Sequence, residues 1–344
     1  MATDPAAVAP VAISREVRLK RRPVGTPSPE DFELAAVDVP SPGPGEVQVR
    51  NTWMAVDPAM RGRMSEARSY VPPFALDAPM EGPAIGRVVA SNDPGFRPGD
   101  VVWSRLGWRE RFNAPASALS LRDASMLPEH ALLGIGGTTG LTAWIGLLQV
   151  AALKPGDVVF VSAASGGVGS IVCQIAKLKG HTVVASAGGE RKTAFLRDEL
   201  GVDAAIDYKA EPNLTKALAR AAPQGIDVYF DNVGGEHLHA ALAIANPHAR
   251  FALCGMISQY NSTEAPTAPR NLMQAVVKRV RMEGFIVLDH LHREQEFLAD
   301  VTAWYRDGRL KQAQTVHEGI GHALDAFSGL FSGDNLGRML VKLA

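Results

Sequence analysis

Between an apolar run, Asp157–Ala164, and a helix-like run lies Ala164-Ser165-Gly166-Gly167-Val168-Gly169, a GxGxxG pattern with alanine in first place. Alone such a match is weak; between a strand pattern and a helix pattern it is the signature of dinucleotide binding. Gly166 permits the tight turn and Gly169 lets helix and strand approach closely. The start of the helix that follows offers free N–H groups and the positive end of its dipole to a pyrophosphate. About 20 residues further on, NAD proteins place an acid that binds the ribose 2′-hydroxyl. Here the strand pattern His181–Gly188 runs instead into Gly188-Gly189, with Arg191 and Lys192 following. Cations and no carboxylate at that strand end favour a 2′-phosphate, hence NADPH over NADH. Glu190, beside them, is expected to point away as a first-turn helix acid.

Metal chemistry is not expected. Catalytic zinc takes about three converging protein ligands. His237 and His239 splay apart at i,i+2 on a helix, and His290 and His292 have no evident third partner. Cys173 and Cys254 fall in separate elements, and neither belongs to a CxxC pair.

The elements that carry these residues divide in two. From Ile13 to Pro128 short strand patterns (Glu46–Asp57, Ala84–Ser91, Gly99–Phe112) alternate with Gly and Pro turns, as in a β-rich, partly open barrel. After Leu132 strands alternate with helices: Asp157–Ala164, His181–Gly188, then VDAAIDY, IDVYFDNVG, RFALCGMI and RMEGFIVLD. That is the pattern of βαβ units in a doubly wound parallel sheet, an α/β class fold. A final helix and strand, HALDAFSGLFSG then GRMLVKLA, return to the first domain. The expected organisation is a mobile tail at 1–12, a β-rich domain at 13–135 with 311–344, and a dinucleotide-binding domain at 136–310.

The chain has 344 residues, 46% hydrophobic and 21% charged, with 35 Lys plus Arg against 36 Asp plus Glu. A net charge of −1 without a long basic run argues against a nucleic-acid partner. No apolar stretch reaches membrane-spanning length, and the acidic, proline-interrupted start is unlike a signal peptide, so a cytoplasmic protein is expected.

Short motifs sharpen this. Asp57-Pro58-Ala59-Met60-Arg61-Gly62-Arg63-Met64, Tyr229-Phe230-Asp231-Asn232-Val233-Gly234-Gly235, Cys254-Gly255-Met256-Ile257-Ser258-Gln259-Tyr260-Asn261 and Glu283-Gly284-Phe285 resemble, as a set, the zinc-independent double-bond reductases of the medium-chain dehydrogenase/reductase superfamily. The segment MRGRMSEARSYVPP is most similar to the bacterial curcumin-reductase branch. The resemblance runs from about residue 13 to the end. It implies a Rossmann domain plus a GroES-like domain, NADP(H) as cofactor, a small unsaturated carbonyl substrate and a homodimer.

Carried over residue by residue, the resemblance gives Lys192 and Tyr208 the adenosine 2′-phosphate, and Gly166, Gly167, Val168 and Gly169 the pyrophosphate. Thr142 and Asn232 contact the cofactor backbone, and Phe285, Ile286 and Val287 the nicotinamide amide. Asn335 closes over the cofactor. Cys254 is either an inert strand thiol or a dinucleotide contact. Tyr260 has two readings: a donor to the substrate oxygen that gains charge after hydride attack, with return of a proton to the α-carbon, or a residue that orders the nicotinamide ribose. Tyr70 either binds the substrate carbonyl or packs at the cleft mouth. Trp53, where relatives commonly carry tyrosine, and Trp108 are expected to line the substrate pocket, and Ala59 leaves room where relatives have an aromatic. Arg61 and Arg63 read as structural or interdomain residues. The expected activity is NADPH-dependent reduction of the double bond of α,β-unsaturated ketones and aldehydes. Its competitors are a quinone reductase on the same fold and a non-catalytic NADPH-binding sensor.

Overall fold

A computed structural model describes residues 11–265 and 269–344. The N-terminal part is built from β1 (Ala12–Leu19), β2 (Phe32–Val39), β3 (Glu46–Ala55), β4 (Ala84–Ser91), β5 (Val101–Ser104), β6 (Arg111–Pro115) and β7 (Ser120–Leu121). The second part contributes β8 (Val158–Val161), β9 (Thr182–Ala187), β10 (Ala204–Asp207), β11 (Ile226–Asp231), β12 (Ala245–Leu253) and β13 (Arg281–Gly284). The chain ends with β14 (Gln314–Glu318) and β15 (Arg338–Lys342).

β8 to β13 form one parallel sheet in the order β10-β9-β8-β11-β12-β13. Counted from β8 this is the 3-2-1-4-5-6 order of a doubly wound dinucleotide fold, with the reversal of winding between β8 and β11. Strand Val158–Val161 and helix Gly167–Leu178 explain why the glycine loop sits there: three of the four strand residues and eight helix residues are buried. Both elements therefore lose their freedom to the core, and the turn between them is held from both sides.

The other large sheet runs β14-β15-β3-β4-β5-β7, with β6 also on β3. β15 pairs antiparallel with β3 through Leu340 opposite Ala55, and parallel with β14, so the last strands join the N-terminal sheet. A single apolar cluster joins the two parts, Ala55, Ile85 and Leu340 packing with Leu132, Trp144, Ile145 and Phe297.

Three expectations change. The tail expected at 1–12 lies outside the described residues as far as residue 10, and Ala12 already opens β1. The RMEGFIVLD strand stops at Gly284, and Val287–Arg293 winds into 3-10 turns.

The third change concerns Trp108, which does not line a pocket. Its side chain is fully buried in a core with Met54, Met60, Met80 and Ile320, edge-on to Phe327 at 6.1 Å. A large ring at a strand bend goes to whichever side offers apolar area, and here the helix Ala323–Ser332 supplies it. Trp108→Ala is therefore expected to cost about 3–5 kcal/mol of stability by denaturant unfolding. The KM for a carbonyl substrate should stay unchanged under conditions where the variant is folded.

Candidate active site

The glycine loop is completed from elsewhere in the chain. Gly166 caps helix Gly167–Leu178 in extended conformation, its N–H bonded to Ala163 O at 3.0 Å. A Cβ on Gly169 would lie 2.5 Å from Ala163 O and 2.7 Å from Ala164 Cα, so only glycine allows the helix to start this close to β8. The helix leaves its first N–H groups, those of Gly167 and Val168, without intrahelical partners. Across the loop runs the segment before β15: Gly337 N–H donates to Ser165 O at 2.7 Å. Asn335 is buried and donates from Nδ2 to Gly337 O at 3.1 Å, shaping that segment.

Lys192 lies beside this cover. The residue is only 9% exposed, and its Nζ is 3.7 Å from where a Cβ on Gly333 would stand. Among the described residues no ion pair answers its charge. Burial, with Arg191 and Lys209 nearby, pushes its pKa down to about 8, and Asp334 offsets this in part. Tyr208 stands on the other side, its hydroxyl 3.1 Å from where a Cβ on Gly188 would be and its ring 5.1 Å from His237. Glu190 turns away, paired to Arg197 at 2.6 Å. Asp207 is committed to the N–H groups of Gly189 and Lys209. A buried, unanswered lysine with two further cations around it is costly unless a dianion arrives, and these residues fit a 2′-phosphate.

At the other end of the crevice Asp231 organises the turn after β11. Its Oδ1 accepts from Tyr229 OH (2.7 Å), Val233 N–H (2.9 Å) and Gly234 N–H (2.8 Å). Its Oδ2 has no partner among the described residues, and burial raises its pKa. Asn232 is held by Ser162, its backbone N–H donating to Ser162 Oγ at 3.0 Å and its Nδ2 to Ser162 O at 2.8 Å. Cys254 follows β12, with its N–H on Asp231 O. Burial and Asp231 push its thiol up to about 12, so it stays protonated and is no nucleophile. Thr142 donates to Thr138 O one turn back, leaving its lone pairs for an incoming donor. Phe285 is wedged against Phe230 and Gly146, and Ile286 caps the turns that begin at Val287.

Tyr260 ends the 3-10 turn Ile257–Gln259 and is half-buried. Its hydroxyl accepts the Met256 N–H at 3.3 Å and donates to no group among the described residues. Burial raises its pKa, so the phenol is protonated at neutral pH. Tyr70 is 58% exposed in the loop after helix Met60–Arg63, within electrostatic reach of Tyr260, Cys254 and Asp57. The two tyrosines come from distant parts of the chain and lie within electrostatic reach of each other. Trp53 is half-buried on β3, its ring 5.6 Å from that of His130, against the core shared by the two parts.

Sequence reading missed Arg338. Buried beside Gly167, it donates to Leu133 O at 2.9 Å and forms an ion pair with Asp57 across 281 residues. Asp57 was visible in its motif; its partner was not, because nothing local links the two. Among the described residues no three His, Cys, Asp or Glu side chains converge as metal ligands.

A β-rich part and a doubly wound part, closed over a glycine loop and a phosphate cradle, define a dinucleotide-dependent oxidoreductase of the medium-chain dehydrogenase/reductase class. Family models agree, one described as the N-terminal domain of oxidoreductase matching residues 15–121 and one as zinc-binding dehydrogenase matching 167–303. The chain is 39% identical to the NADPH-dependent curcumin reductase of Escherichia coli, over 95% of this chain and 96% of that one. It is 40% identical to the NADP(+)-dependent 2-alkenal reductase of Nicotiana tabacum, over 96% and 98%. CurA of Vibrio vulnificus, solved in complex with NADPH, superposes with a TM-score of 0.91 at 40% identity, covering 96% of this chain and 99% of that one. The chain belongs to the double-bond reductase group of the medium-chain dehydrogenase/reductase superfamily.

Proposed function

We propose that the protein is an NADPH-dependent reductase of the carbon–carbon double bond in α,β-unsaturated ketones and aldehydes. The observation that carries this is the Tyr260 hydroxyl, which accepts the Met256 N–H and donates to no group among the described residues, beside a Lys192 whose charge no ion pair answers among them. Bound NADPH supplies a hydride to the electrophilic β-carbon of the substrate. The chain's own residues do the rest. Gly166, Gly167 and Val168 receive the pyrophosphate, Lys192 and Tyr208 the 2′-phosphate, and Asn335 lies in the segment that covers them. Thr142, Asn232 and the Phe285–Val287 turn fix the nicotinamide end. Tyr260 donates to the carbonyl oxygen as the π-electrons of the double bond move onto it, a charge present in the transition state and absent before it. A proton then reaches the α-carbon, from Tyr260 or through water, completing the addition of two hydrogens. Tyr70 holds the far side of the substrate, and Trp53 borders the cleft.

The proposed reaction calls for no metal, since the hydride, the donor to the carbonyl oxygen and the proton are each assigned without one. Residues 13–135 with 311–344 act as the substrate-side domain and 136–310 as the cofactor domain, in the cytoplasm. A homodimer would use the open edge of β13 and the adjoining helix Met273–Lys278. There Met273 and Val276 are 69% and 70% exposed. Sedimentation of the purified protein checks that state.

The activity is tested by NADPH oxidation with a 2-alkenal, curcumin and a quinone, with NADH and a chelator in parallel. Chelator-resistant turnover of the first two substrates, much faster with NADPH, is the expected result. Turnover of the quinone alone would replace this reading with quinone reduction, and tight NADPH binding without turnover would replace it with a sensing role.

A further inference from the structure

Two of the motifs that marked the chain, Asp57–Met64 and Cys254–Asn261, lie in different domains, yet one side chain ties them together. Arg61 Nε donates to Asn261 Oδ1 at 3.0 Å across 200 residues of sequence. The same guanidinium donates from Nη2 to Gly25 O (2.8 Å) and Pro23 O (3.2 Å), and from Nε to Gly25 O (3.2 Å). Arg61 is 7% exposed and, among the described residues, forms no ion pair. All its partners are neutral oxygens.

That is an expensive way to hold a fold together. A buried guanidinium without a carboxylate recovers less of its lost hydration than a paired one, and an apolar side chain of similar volume would often serve stability as well. Geometry is what the guanidinium adds. Its planar fork fixes several acceptors at set angles, and here they come from the loop Pro23–Gly25 and from the residue that follows Tyr260. The loop also seats directly on that segment: a Cβ on Gly25 would be 3.5 Å from Thr263 Cγ2 and 3.9 Å from Asn261 O. Among the described residues Tyr260 has one hydroxyl partner, Met256 N–H, which belongs to the same short turn. Nothing in that turn alone relates the phenol to the domain that carries Tyr70. The helix Met60–Arg63 does so, because its next arginine, Arg63, donates to Pro72 O at 2.9 Å and lies over Phe74, fixing the loop of Tyr70.

We infer that Arg61, acting through Asn261, is a positioning residue that sets the Tyr260 hydroxyl against the substrate carbonyl across the domain junction. The inference rests on the donor role proposed for Tyr260. It requires that loosening the Asn261 bond slow the chemical step through Tyr260 and leave cofactor binding alone.

Steady-state kinetics with an enone at saturating NADPH, on Asn261→Ala, Tyr260→Phe and the double variant, tests it. Asn261→Ala is expected to lower kcat about tenfold, because small displacements of a catalytic group are costly. Its KM for NADPH should stay within about twofold of the parent, since the bond lies away from the phosphate cradle. In the Tyr260→Phe background the same change should cost less than about twofold, because no donor remains to be placed. Asn261→Asp keeps an oxygen for Arg61 and is expected to hold kcat near the parent value. Equal losses from Asn261→Ala in both backgrounds would mean a purely structural bond and overturn the inference. So would a slowed Tyr260→Phe beside an unaffected Asn261→Ala. An unaffected Tyr260→Phe would instead remove the donor reading of Tyr260, and this inference with it.

Discussion

Replacing Lys192 by alanine is expected to raise the KM for NADPH by about 30- to 150-fold at pH 7, while the KM for NADH moves less than about twofold. The figure follows from roughly 2–3 kcal/mol for hydrogen bonds between a charged donor and a phosphate, at 1.4 kcal/mol per tenfold. Arg191 and Lys209 remain near the site, so the loss stays below that of an empty cradle. Equal weakening of both cofactors would place the lysine away from the phosphate. The pH dependence has a sign that can be checked as well. In the free protein burial and two neighbouring cations hold Lys192 at about 8. NADPH affinity should therefore fall as pH rises above about 8, where the free lysine loses its proton, and NADH affinity should not follow it.

The same shift has the opposite sign for stability. An unfolded lysine titrates near 10.4, so between about 8 and 10.4 the unfolded chain holds a proton that the folded one has released. Stability of the free protein should accordingly rise with pH through that window. Below it the buried charge is a cost, and Lys192→Met should stabilise the free protein on the order of 1–2 kcal/mol at pH 7, discounted for partial solvent access. Thermal unfolding at pH 7 and pH 10 checks this, the gain shrinking at the higher pH. The cofactor cradle is thus strained until its anion arrives.

Tyr260→Phe should lower kcat about 100- to 1,000-fold while the KM for NADPH changes little, the range expected for losing one donor to a developing oxyanion. The substitution removes one oxygen and keeps the ring, so packing is preserved. The Met256 N–H that the hydroxyl accepts points at the same spot and can be answered by water. Burial holds the phenol protonated through neutral pH, so the kcat profile of the parent should show no step from Tyr260 between pH 6 and 9. A variant with normal kcat and a raised KM for NADPH would assign the tyrosine to ordering the ribose.

How much of this was legible beforehand varies with the distance along the chain over which each feature is built. The glycine loop was readable, because a strand, a turn and a helix start within a dozen residues carry their own constraint. The absence of an acid after β9 and the turning away of Glu190 toward Arg197 were likewise local matters, a first-turn acid meeting a cation on its own helical stretch. The return of the last helix and strand to the N-terminal part was expected, as an extra edge; that β15 would lie inside the sheet, between β14 and β3, was not.

Trp108 shows where such reading stops. Its neighbours in sequence allow the ring to face either a cleft or a core, and the core side is assembled from distant segments, Met54, Met60 and Met80 together with helix Ala323–Ser332 more than 200 residues away. Arg338 beside Gly167 and Arg61 on Asn261 are of the same kind. What the sequence determined by itself was the class of fold, the cofactor-binding turn and the set of residues available for chemistry. These follow from the period of apolar residues and from backbone freedom at glycine, which act over one or two elements. Only the tertiary structure decided which aromatic rings became core, which cation was left unanswered, and which arginine reaches the residue after Tyr260. Those outcomes depend on burial and partner geometry between segments that the folded chain alone brings together.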